Sequence, residues 1–268
     1  MPPRRPPDRA KAPRLPRLSP TRLNLYRFCP RAYGFYYDEG LRWGFTSAAQ
    51  SFGGSLHRAL QTFHARGGAE GLSLDELKAQ FAASWSAAGY ETPEQAAEYR
   101  TSGEQLLERY YEASREPGRV TLATEATLQR RYDEFVLFGK VDRLDRRPDG
   151  ALEVIDYKSG RREVTESGVR ESLAMILYQL LVARQHPGVP VYTRIVALRT
   201  GESASVLRDD AELDAAERDI VALTRTILAD AVKPALPGES CRTCVYPRVC
   251  PPGRAWLRQN GAQPPPRP

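Results

Sequence analysis

The stretch GKVDRLDRRPDGALEVIDYKSG, residues 139–160, decides the fold of this chain. Two extended runs flank the turn sequence Pro148-Asp149-Gly150, and this pattern predicts an antiparallel hairpin. With a three-residue loop, the register places Asp142 directly opposite Asp156. A slip by one residue would turn Asp156 to the other face of the sheet. The hairpin register is therefore the expectation on which the rest of the site depends.

The charged residues of this hairpin follow apolar ones. Side chains alternate between the faces of a strand, so Asp156 and Lys158 point the same way, after Leu152 and Val154. Directly opposed residues have Cβ atoms about 4.5–5.5 Å apart, and two carboxylates at that spacing repel unless a cation lies between them. The pattern favours a divalent metal held by Asp142 and Asp156, with Lys158 beside it. The alternative from spacing alone is a surface hairpin with solvated charges.

The composition is that of an ordinary globular protein. The chain has 268 residues, of which 41% are hydrophobic and 27% charged, and this suits one large domain. Residues 1–17 hold six basic residues and one acidic one, so most of the net charge of +6 lies there. We expect this segment to be a disordered tail that either contacts phosphates or aids solubility, and residues 258–268 to be a second disordered tail. No signal peptide or membrane-spanning run is apparent, so a cytoplasmic location is expected.

Capping signals and periodicity predict an α/β (α+β) fold with a mixed central sheet flanked by helices. Helices are expected from residue 19, at 51–65, 73–88, 92–115, 169–185 and 210–232. Strands are expected at 120–131, 134–146, 151–158, 190–199 and 203–207. The chain thus divides into a helical part (18–117), a core (118–209) and a Cys-rich end (210–257).

Four cysteines form a metal-site pattern. Cys241-x2-Cys244-x5-Cys250 is compact, and Cys29 supplies a fourth thiolate. So few cysteines in a cytosolic chain are unlikely to form disulfides. Zinc and an iron–sulfur cluster both accept four thiolates, and spacing alone leaves both open.

Several motifs occur in a fixed order along the chain. They are Leu18-Ser19-x3-Leu23-x2-Tyr26-x2-Cys29-Pro30, Gly54-x2-His57, Gly139-x2-Asp142-Arg143, Asp156-x-Lys158 and the three late cysteines. Together they resemble the motifs of the PD-(D/E)xK nuclease superfamily, in the RecB-like branch that bears an iron–sulfur cluster. That branch includes CRISPR-associated exonucleases and the AddB-type nuclease domain. The resemblance spans residues 18–257 and implies a single nuclease domain with a restriction-endonuclease-like core.

The resemblance also implies roles for individual residues. His57, Asp142 and Asp156, with the backbone carbonyl of Tyr157, would hold Mg²⁺ or Mn²⁺. Lys158 would position the attacking water or stabilise the transition state.

The last motif of the family, Gln-x3-Tyr, is incomplete in this chain. Tyr178 matches the tyrosine and is expected at the site, with a packed aromatic as the alternative. Ala174 stands where the glutamine would fall, and Gln179 points about 100° away from Tyr178 on a helix. Of the other histidines, His64 is expected at the surface or in packing, and His186 in a loop.

The four cysteines would hold a 4Fe–4S cluster that joins both ends of the domain, with structural zinc as the alternative. Losing any of them is expected to loosen the whole fold.

These features predict a metal-dependent DNA nuclease that acts as an exonuclease or end-processing enzyme and prefers single strands. The aromatic-rich segment 26–45, with Tyr33, Phe35, Tyr36, Tyr37 and Trp43, would either stack on unpaired bases or form core around the cluster. Arg161 and Arg162 are candidates for phosphate contacts.

DNA repair or recombination, CRISPR adaptation and a mobile element are all compatible pathways. No P-loop is present, so any duplex unwinding would need a helicase partner. The alternatives are a non-catalytic DNA-binding or assembly module and a zinc-stapled hydrolase.

Overall fold

The computed structural model describes residues 15–42 and 46–265. The expected basic tail lies mostly outside the described residues, as do Trp43 and the last three residues of the chain. Arg17 begins the first strand and the last helix extends to Gln259. These described elements lie within the inner ends of the two segments for which disorder was expected.

The described residues form six strands and nine α-helices. The strands are β1 (Arg17–Leu18), β2 (Val120–Arg131), β3 (Val136–Arg146), β4 (Leu152–Lys158), β5 (Val191–Ala197) and β6 (Ser203–Leu207). The helices are α1 (Pro20–Phe28), α2 (Pro30–Tyr33), α3 (Ala48–Ala65), α4 (Leu74–Ala83), α5 (Pro93–Ala113), α6 (Glu166–Glu171), α7 (Leu173–Ala183), α8 (Asp210–Ala229) and α9 (Pro251–Gln259). A π-helical turn (Gly34–Asp38) and two 3-10 turns (Gly68–Glu70 and Glu239–Arg242) complete the regular structure.

The strands form one mixed sheet in the order β1-β3-β4-β5-β6, and β2 pairs with the other edge of β3. β4 and β5 are parallel, and the connection between them carries α6 and α7, as a parallel crossover requires. The edge of β3 that faces β4 is shared. β1 pairs with residues 136–137 of that edge, and β4 pairs with residues 143–146. Residues 138–142 of β3 lie between these two ladders, so the sheet has a fork there.

Helices cover both faces of the sheet. One apolar layer joins α1, α7 and α8 to strand residues such as Val154, and the other joins α3, α4 and α5 to residues such as Ile155. A strand enclosed on both sides loses the alternation of buried and exposed residues. Residues 152–157 of β4 are accordingly all buried. This architecture confirms the predicted mixed sheet flanked by helices.

The described elements differ most from the prediction at 169–185, and the helix expected over 73–88 also ends earlier, at Ala83. A single helix was expected, but the chain leaves the helical conformation at Ser172, where ψ is 111°. The Ser172 side chain then accepts a hydrogen bond from the backbone N–H of Met175 at 3.4 Å and caps α7. Among the described residues, no helix is both long enough and apolar enough to span a membrane.

Candidate active site

The β3–β4 hairpin has the predicted register. Arg143 pairs with Ile155 and Arg146 with Leu152. The turn is closed by the Gly150 N–H, which donates to the Arg147 carbonyl at 3.0 Å, and Gly150 adopts a φ of +85°. Glycine suits the left-handed position of such a three-residue loop. The ladder ends at the Arg143–Ile155 pair, so the next position along it is that of Asp142 and Asp156, where the strands separate.

Asp142 joins three elements at this fork. Its Oδ2 accepts a hydrogen bond from the backbone N–H of Tyr157 at 2.8 Å, and its Oδ1 lies 3.2 Å from Nδ1 of His57 on α3. Burial alone would lower the pKa of His57, but the hydrogen bond and charge of Asp142, together with Asp156 and Glu125, raise it. The Asp142 carboxylate thus accepts the Tyr157 N–H where a backbone carbonyl would accept it in a continuous strand pair. The same carboxylate orients the His57 imidazole.

Asp156 is buried, with only 8% of its surface exposed. Its Oδ2 has no hydrogen bond among the described residues, although Nζ of Lys158 lies 2.5 Å away in an ion pair. The two observations agree if the ammonium approaches outside the hydrogen-bonding direction. Burial and the charge of Asp142 raise the pKa of Asp156, against the opposing effects of Lys158 and His57. At Asp156, the effect of burial therefore outweighs the stabilisation of the carboxylate by the nearby positive charges.

Helix α3 lies close to the end of β4. A Cβ at Gly53 would lie 2.7 Å from Oγ of Ser159, the residue after Lys158, although this hydroxyl could rotate away. His57, one turn later on α3, lies beside Asp142 at the fork.

Tyr178 also reaches the site. A Cβ at Gly139 would lie 2.4 Å from the Tyr178 ring, so the glycine of the Gly139-x2-Asp142 motif makes room for this tyrosine. Burial and the charges of Asp156, Asp142 and Glu125 raise the pKa of Tyr178. The hydroxyl stays protonated at neutral pH and is a potential hydrogen-bond donor. Gln179 instead faces the opposite direction and bonds to Arg208, with its Nε2 2.9 Å from the Arg208 carbonyl.

Sequence reasoning missed Glu125 in β2. The pairs Thr124–Arg143 and Ala126–Val141 place it level with Asp142, and one ligand atom from each of Glu125, Asp142 and His57 lie within 4.8 Å of one another. Glu125 has a φ of +53°, a left-handed conformation that costs a non-glycine residue about 1–3 kcal/mol. No motif marks this residue, and its position follows from the β2–β3 pairing, which keeps one register from Arg131–Val136 to Ala123–Leu144.

A buried polar network behind the hairpin was also missed. We use this term for Arg119, Arg143, Asp145, Glu153, Tyr157, Tyr110 and His64. Arg143 is its centre, with hydrogen bonds to Oδ2 of Asp145 at 2.6 Å and to the hydroxyl of Tyr157 at 3.0 Å. His64, expected at the surface or in packing, is packed here, and burial together with Arg143 and Arg119 holds its pKa well below the ordinary value. The network ties down the strands that carry the site.

Arg161 and Arg162 are exposed in the loop after β4, close in sequence to Lys158 but without a place in the fork. His186 lies in an exposed turn, as expected. Tyr33 and Phe35 are each only 3% exposed, so they form core next to α1 and the cysteines. Tyr36 and Tyr37 are partly buried and lie under the guanidinium groups of Arg42 and Arg22.

The four cysteines are free thiols that line one small cavity of about 20 Å³. Burial raises the pKa of the Cys244 thiol to about 11, and Cys29, Cys241 and Cys250 add to the increase. Their sulfur atoms do not form a close group, because in the described part of the chain no three of them lie within 4.8 Å of one another.

A mixed sheet covered by helices thus places two carboxylates, a lysine and a histidine at a fork between two strands. The chain matches the model of the PD-(D/E)XK nuclease superfamily over residues 17–251 and belongs to this superfamily. Its members are phosphodiester-hydrolysing nucleases that use divalent metals. The class of the protein is therefore that of a nuclease with a restriction-endonuclease-like fold.

Two solved structures are similar to the chain at low identity. The crystal structure of SSO0001 has 13% identity and a TM-score of 0.44, with 88% of this chain and 85% of that chain covered. A structure named "Putative exonuclease" from Eubacterium rectale has 14% identity and a TM-score of 0.48, with 78% of this chain and 79% of that chain covered. A comparison with curated protein sequences gives no match.

Proposed function

We propose that the protein is a metal-dependent deoxyribonuclease that acts as an exonuclease or end-processing enzyme. One observation carries this proposal. Asp142, Asp156, Lys158 and His57 come from two strands and a helix, yet the fold brings them to one fork in the sheet. Superfamily membership supplies the reaction class, and the convergence of these side chains supplies a site for the reaction.

The donors at the fork fit a divalent cation. Asp156 contributes a buried carboxylate oxygen whose partner is the exposed ammonium of Lys158, and Asp142 lies beside both Asp156 and His57. Carboxylates suit Mg²⁺, and the imidazole extends the range to Mn²⁺. We assign Asp142, Asp156, His57 and the Tyr157 carbonyl as ligands. When bound, the cation lowers the pKa of a coordinated water and offsets charge on the scissile phosphate.

Lys158 and Tyr178 act on the reacting groups in this proposal. The Lys158 side chain is 55% exposed, so its ammonium can leave the ion pair with Asp156 and approach a phosphate or the attacking water. Tyr178 keeps its proton and can donate a hydrogen bond to a phosphate oxygen. Both groups would stabilise charge that develops in the transition state.

The proposal includes a 4Fe–4S cluster held by Cys29, Cys241, Cys244 and Cys250. A tetrahedral zinc site with Zn–S bonds of about 2.3 Å brings its sulfurs to about 3.8 Å from one another. The cysteines line one cavity, and no three of the described sulfurs lie within 4.8 Å of one another, which is wider than a tetrahedral zinc site requires. Iron and sulfide analysis of anaerobically purified protein tests the proposal, and stoichiometric zinc would contradict it.

The proposed substrate is DNA with a free end, and single strands are the preferred form. Exposed Arg161 and Arg162 follow the catalytic strand and would contact phosphates. Burial of Tyr33 and Phe35 leaves Phe28, Tyr36 and Tyr37 as the described aromatics of segment 26–45 that retain some exposure for stacking on bases. We place the enzyme in the cytoplasm, in DNA repair, recombination or CRISPR adaptation, with a helicase as a potential partner.

Digestion of labelled DNA tests the nuclease proposal. Anaerobically purified protein with Mg²⁺ or Mn²⁺ is incubated with 5′- and 3′-labelled single and double strands and with circular single strands. We expect loss of linear DNA from an end, survival of the circles, and no reaction with Asp156→Asn. Asp149→Asn, at the exposed tip of the same hairpin, is the matched control.

A non-catalytic DNA-binding or assembly module is the second candidate, because Ala174 stands where the family resemblance expects a glutamine. Equal survival of every DNA with wild type and Asp156→Asn, together with DNA binding by both, would establish that reading instead.

A further inference from the structure

Glu125 lies at the fork, yet no motif of the chain includes it. One of its carboxylate oxygens lies within 4.8 Å of ligand atoms of both His57 and Asp142. These three residues come from β2, α3 and β3, so their meeting is a property of the fold and not of one local segment. Two carboxylates and an imidazole are a complete set of protein ligands for a hard or borderline cation.

A second observation points to a cation at the same place. Asp156 is more than nine-tenths buried and lies one position beyond the last β3–β4 pair, Arg143–Ile155; its Oδ2 is paired with the exposed ammonium of Lys158 and has no further hydrogen bond among the described residues. Three carboxylates thus converge, and the nearby positive side chains are His57, Lys158 and Lys140. The two lysine side chains are 55% and 60% exposed, so water screens much of their charge.

We propose that Glu125 is a metal-binding residue of this site and, with His57 and Asp142, holds a divalent cation on the β2 side of the fork. Asp142 would then lie between Glu125 and Asp156 and be shared by cations on its two sides, whereas the imidazole of His57, which has one lone pair to donate, would bind the cation on the β2 side. This inference rests on the proposed metal-dependent function, and it adds a ligand from a strand that carries none of the recognised motifs.

Lys140 has a defined part in this arrangement. It forms an ion pair with Glu125 across the β2–β3 ladder. A cation bound by Glu125 would displace the exposed ammonium, because a divalent ion in a partly buried site attracts the carboxylate more strongly than a solvated lysine does. Lys140 is therefore a competitor of the metal. A purely structural ion pair has no such asymmetry between its two members.

That asymmetry defines the test, which measures Mn²⁺ binding to the full chain by calorimetry and by the EPR signal of free Mn²⁺. We expect Glu125→Gln to weaken binding about tenfold or more, or to abolish one of two binding events. Lys140→Gln should leave the affinity unchanged or tighten it by up to about fivefold. Glu134→Gln is the matched control. Glu134 lies in the turn between β2 and β3, away from the fork, and forms an ion pair with exposed Arg225.

A second variant guards against loss of folding. Glycine adopts the φ of +53° at position 125 without strain. Glu125→Gly should therefore melt at the same temperature as wild type or higher and still lose Mn²⁺ affinity as Glu125→Gln does.

The outcomes separate this inference from the proposed function. If Asp142→Asn abolishes Mn²⁺ binding while Glu125→Gln and Glu125→Gly bind as wild type does, the role of Glu125 is refuted and the nuclease site stands. If Glu125→Gln and Lys140→Gln weaken Mn²⁺ binding equally, the Glu125–Lys140 ion pair is only structural and the role of Glu125 is likewise refuted. If wild type binds no Mn²⁺, or Asp142→Asn binds it equally well, the proposed metal site fails and this inference fails with it.

Discussion

The two faces of strand β4 carry charged residues in opposite situations. Glu153 on one face is buried beside Arg119, whose Nη1 lies 2.5 Å from its Oε2, and it also accepts a hydrogen bond from Ser205. Asp156 on the other face is equally enclosed but has a second carboxylate, Asp142, as a neighbour and an exposed lysine as its ion-pair partner. The strand is the same, and the difference lies in what the neighbouring elements supply.

This contrast distinguishes buried carboxylates that pair with arginines, such as Glu153, from Asp156, whose ion-pair partner is exposed. A buried carboxylate beside a buried guanidinium is neutralised within the protein. The network is not fully saturated, because Asp145 Oδ1 and Arg143 Nε have no hydrogen bond among the described residues, but each of its carboxylates has an arginine in contact. At the fork, the negative charge exceeds the buried positive charge. A cation from outside would restore the balance there.

The largest effect is expected from breaking the buried polar network. Arg143→Met leaves the Asp145 carboxylate buried without its closest partner, and we expect a loss of about 3–5 kcal/mol in the free energy of unfolding. Urea unfolding measures it. Arg146→Met, at an exposed position on the same strand, should change stability by less than about 0.5 kcal/mol. Equal stability of the two variants would contradict the distinction between the faces.

At the fork we expect a large loss of activity without a loss of stability. Asp156→Asn should lower nuclease activity at least about 100-fold while leaving the protein as stable as wild type or more stable near pH 7. Because burial raises the pKa of Asp156 above that of the unfolded chain, ionisation of this group costs stability as the pH rises from the unfolded towards the folded pKa. Unfolding at pH 4 and pH 7 measures this dependence, which the asparagine removes. A variant with lower stability than wild type at pH 7 would place Asp156 among the structural charges.

His64 makes the network sensitive to acid. Its pKa is held well below the ordinary value in the folded protein, so its contribution is fully present above about pH 6.5 and is lost as the pH falls below the unfolded pKa. One linked proton gives a slope of up to about 1.4 kcal/mol per pH unit. His64→Gln should flatten the stability curve between pH 6.5 and 5 by this amount. An unchanged slope would show that His64 is protonated in the folded protein.

The smallest effect concerns the exposed surface beyond the fork. Replacing Arg161 and Arg162 together by alanine should weaken single-stranded DNA binding and reduce the slope of log affinity against log salt by about 1.4, at unchanged metal content. Filter binding between 50 and 200 mM salt measures both quantities. Arg225→Ala, on the far helix α8, is the control and should leave the slope as it is. Identical slopes for all three proteins would remove these arginines from the DNA contact.

Local patterns were sufficient for much of the fold. The turn Pro148-Asp149-Gly150 fixed the hairpin register, and the capping boxes at Ser47 and Ser73 coincide with helix starts, although only the one at Ser73 was expected. The 169–185 segment was predicted as one helix because its apolar content is continuous, while the break depends on a single serine cap. Competition between a cap and a continuing helix is decided by small free energies that the sequence pattern does not reveal.

The sequence by itself determined that Asp142, Asp156 and Lys158 lie together at the open end of the hairpin, because alternation along a strand and a three-residue turn are local geometry. Their proposed roles came from the family resemblance, since spacing alone also allows a surface hairpin with solvated charges. Only the tertiary structure decided what surrounds them: packing of α3 places His57 beside Asp142, and the β2–β3 ladder places Glu125 level with Asp142. Burial and the separation of the two strands are properties of packing between distant segments. They decide which carboxylates have buried counter-charges and which do not.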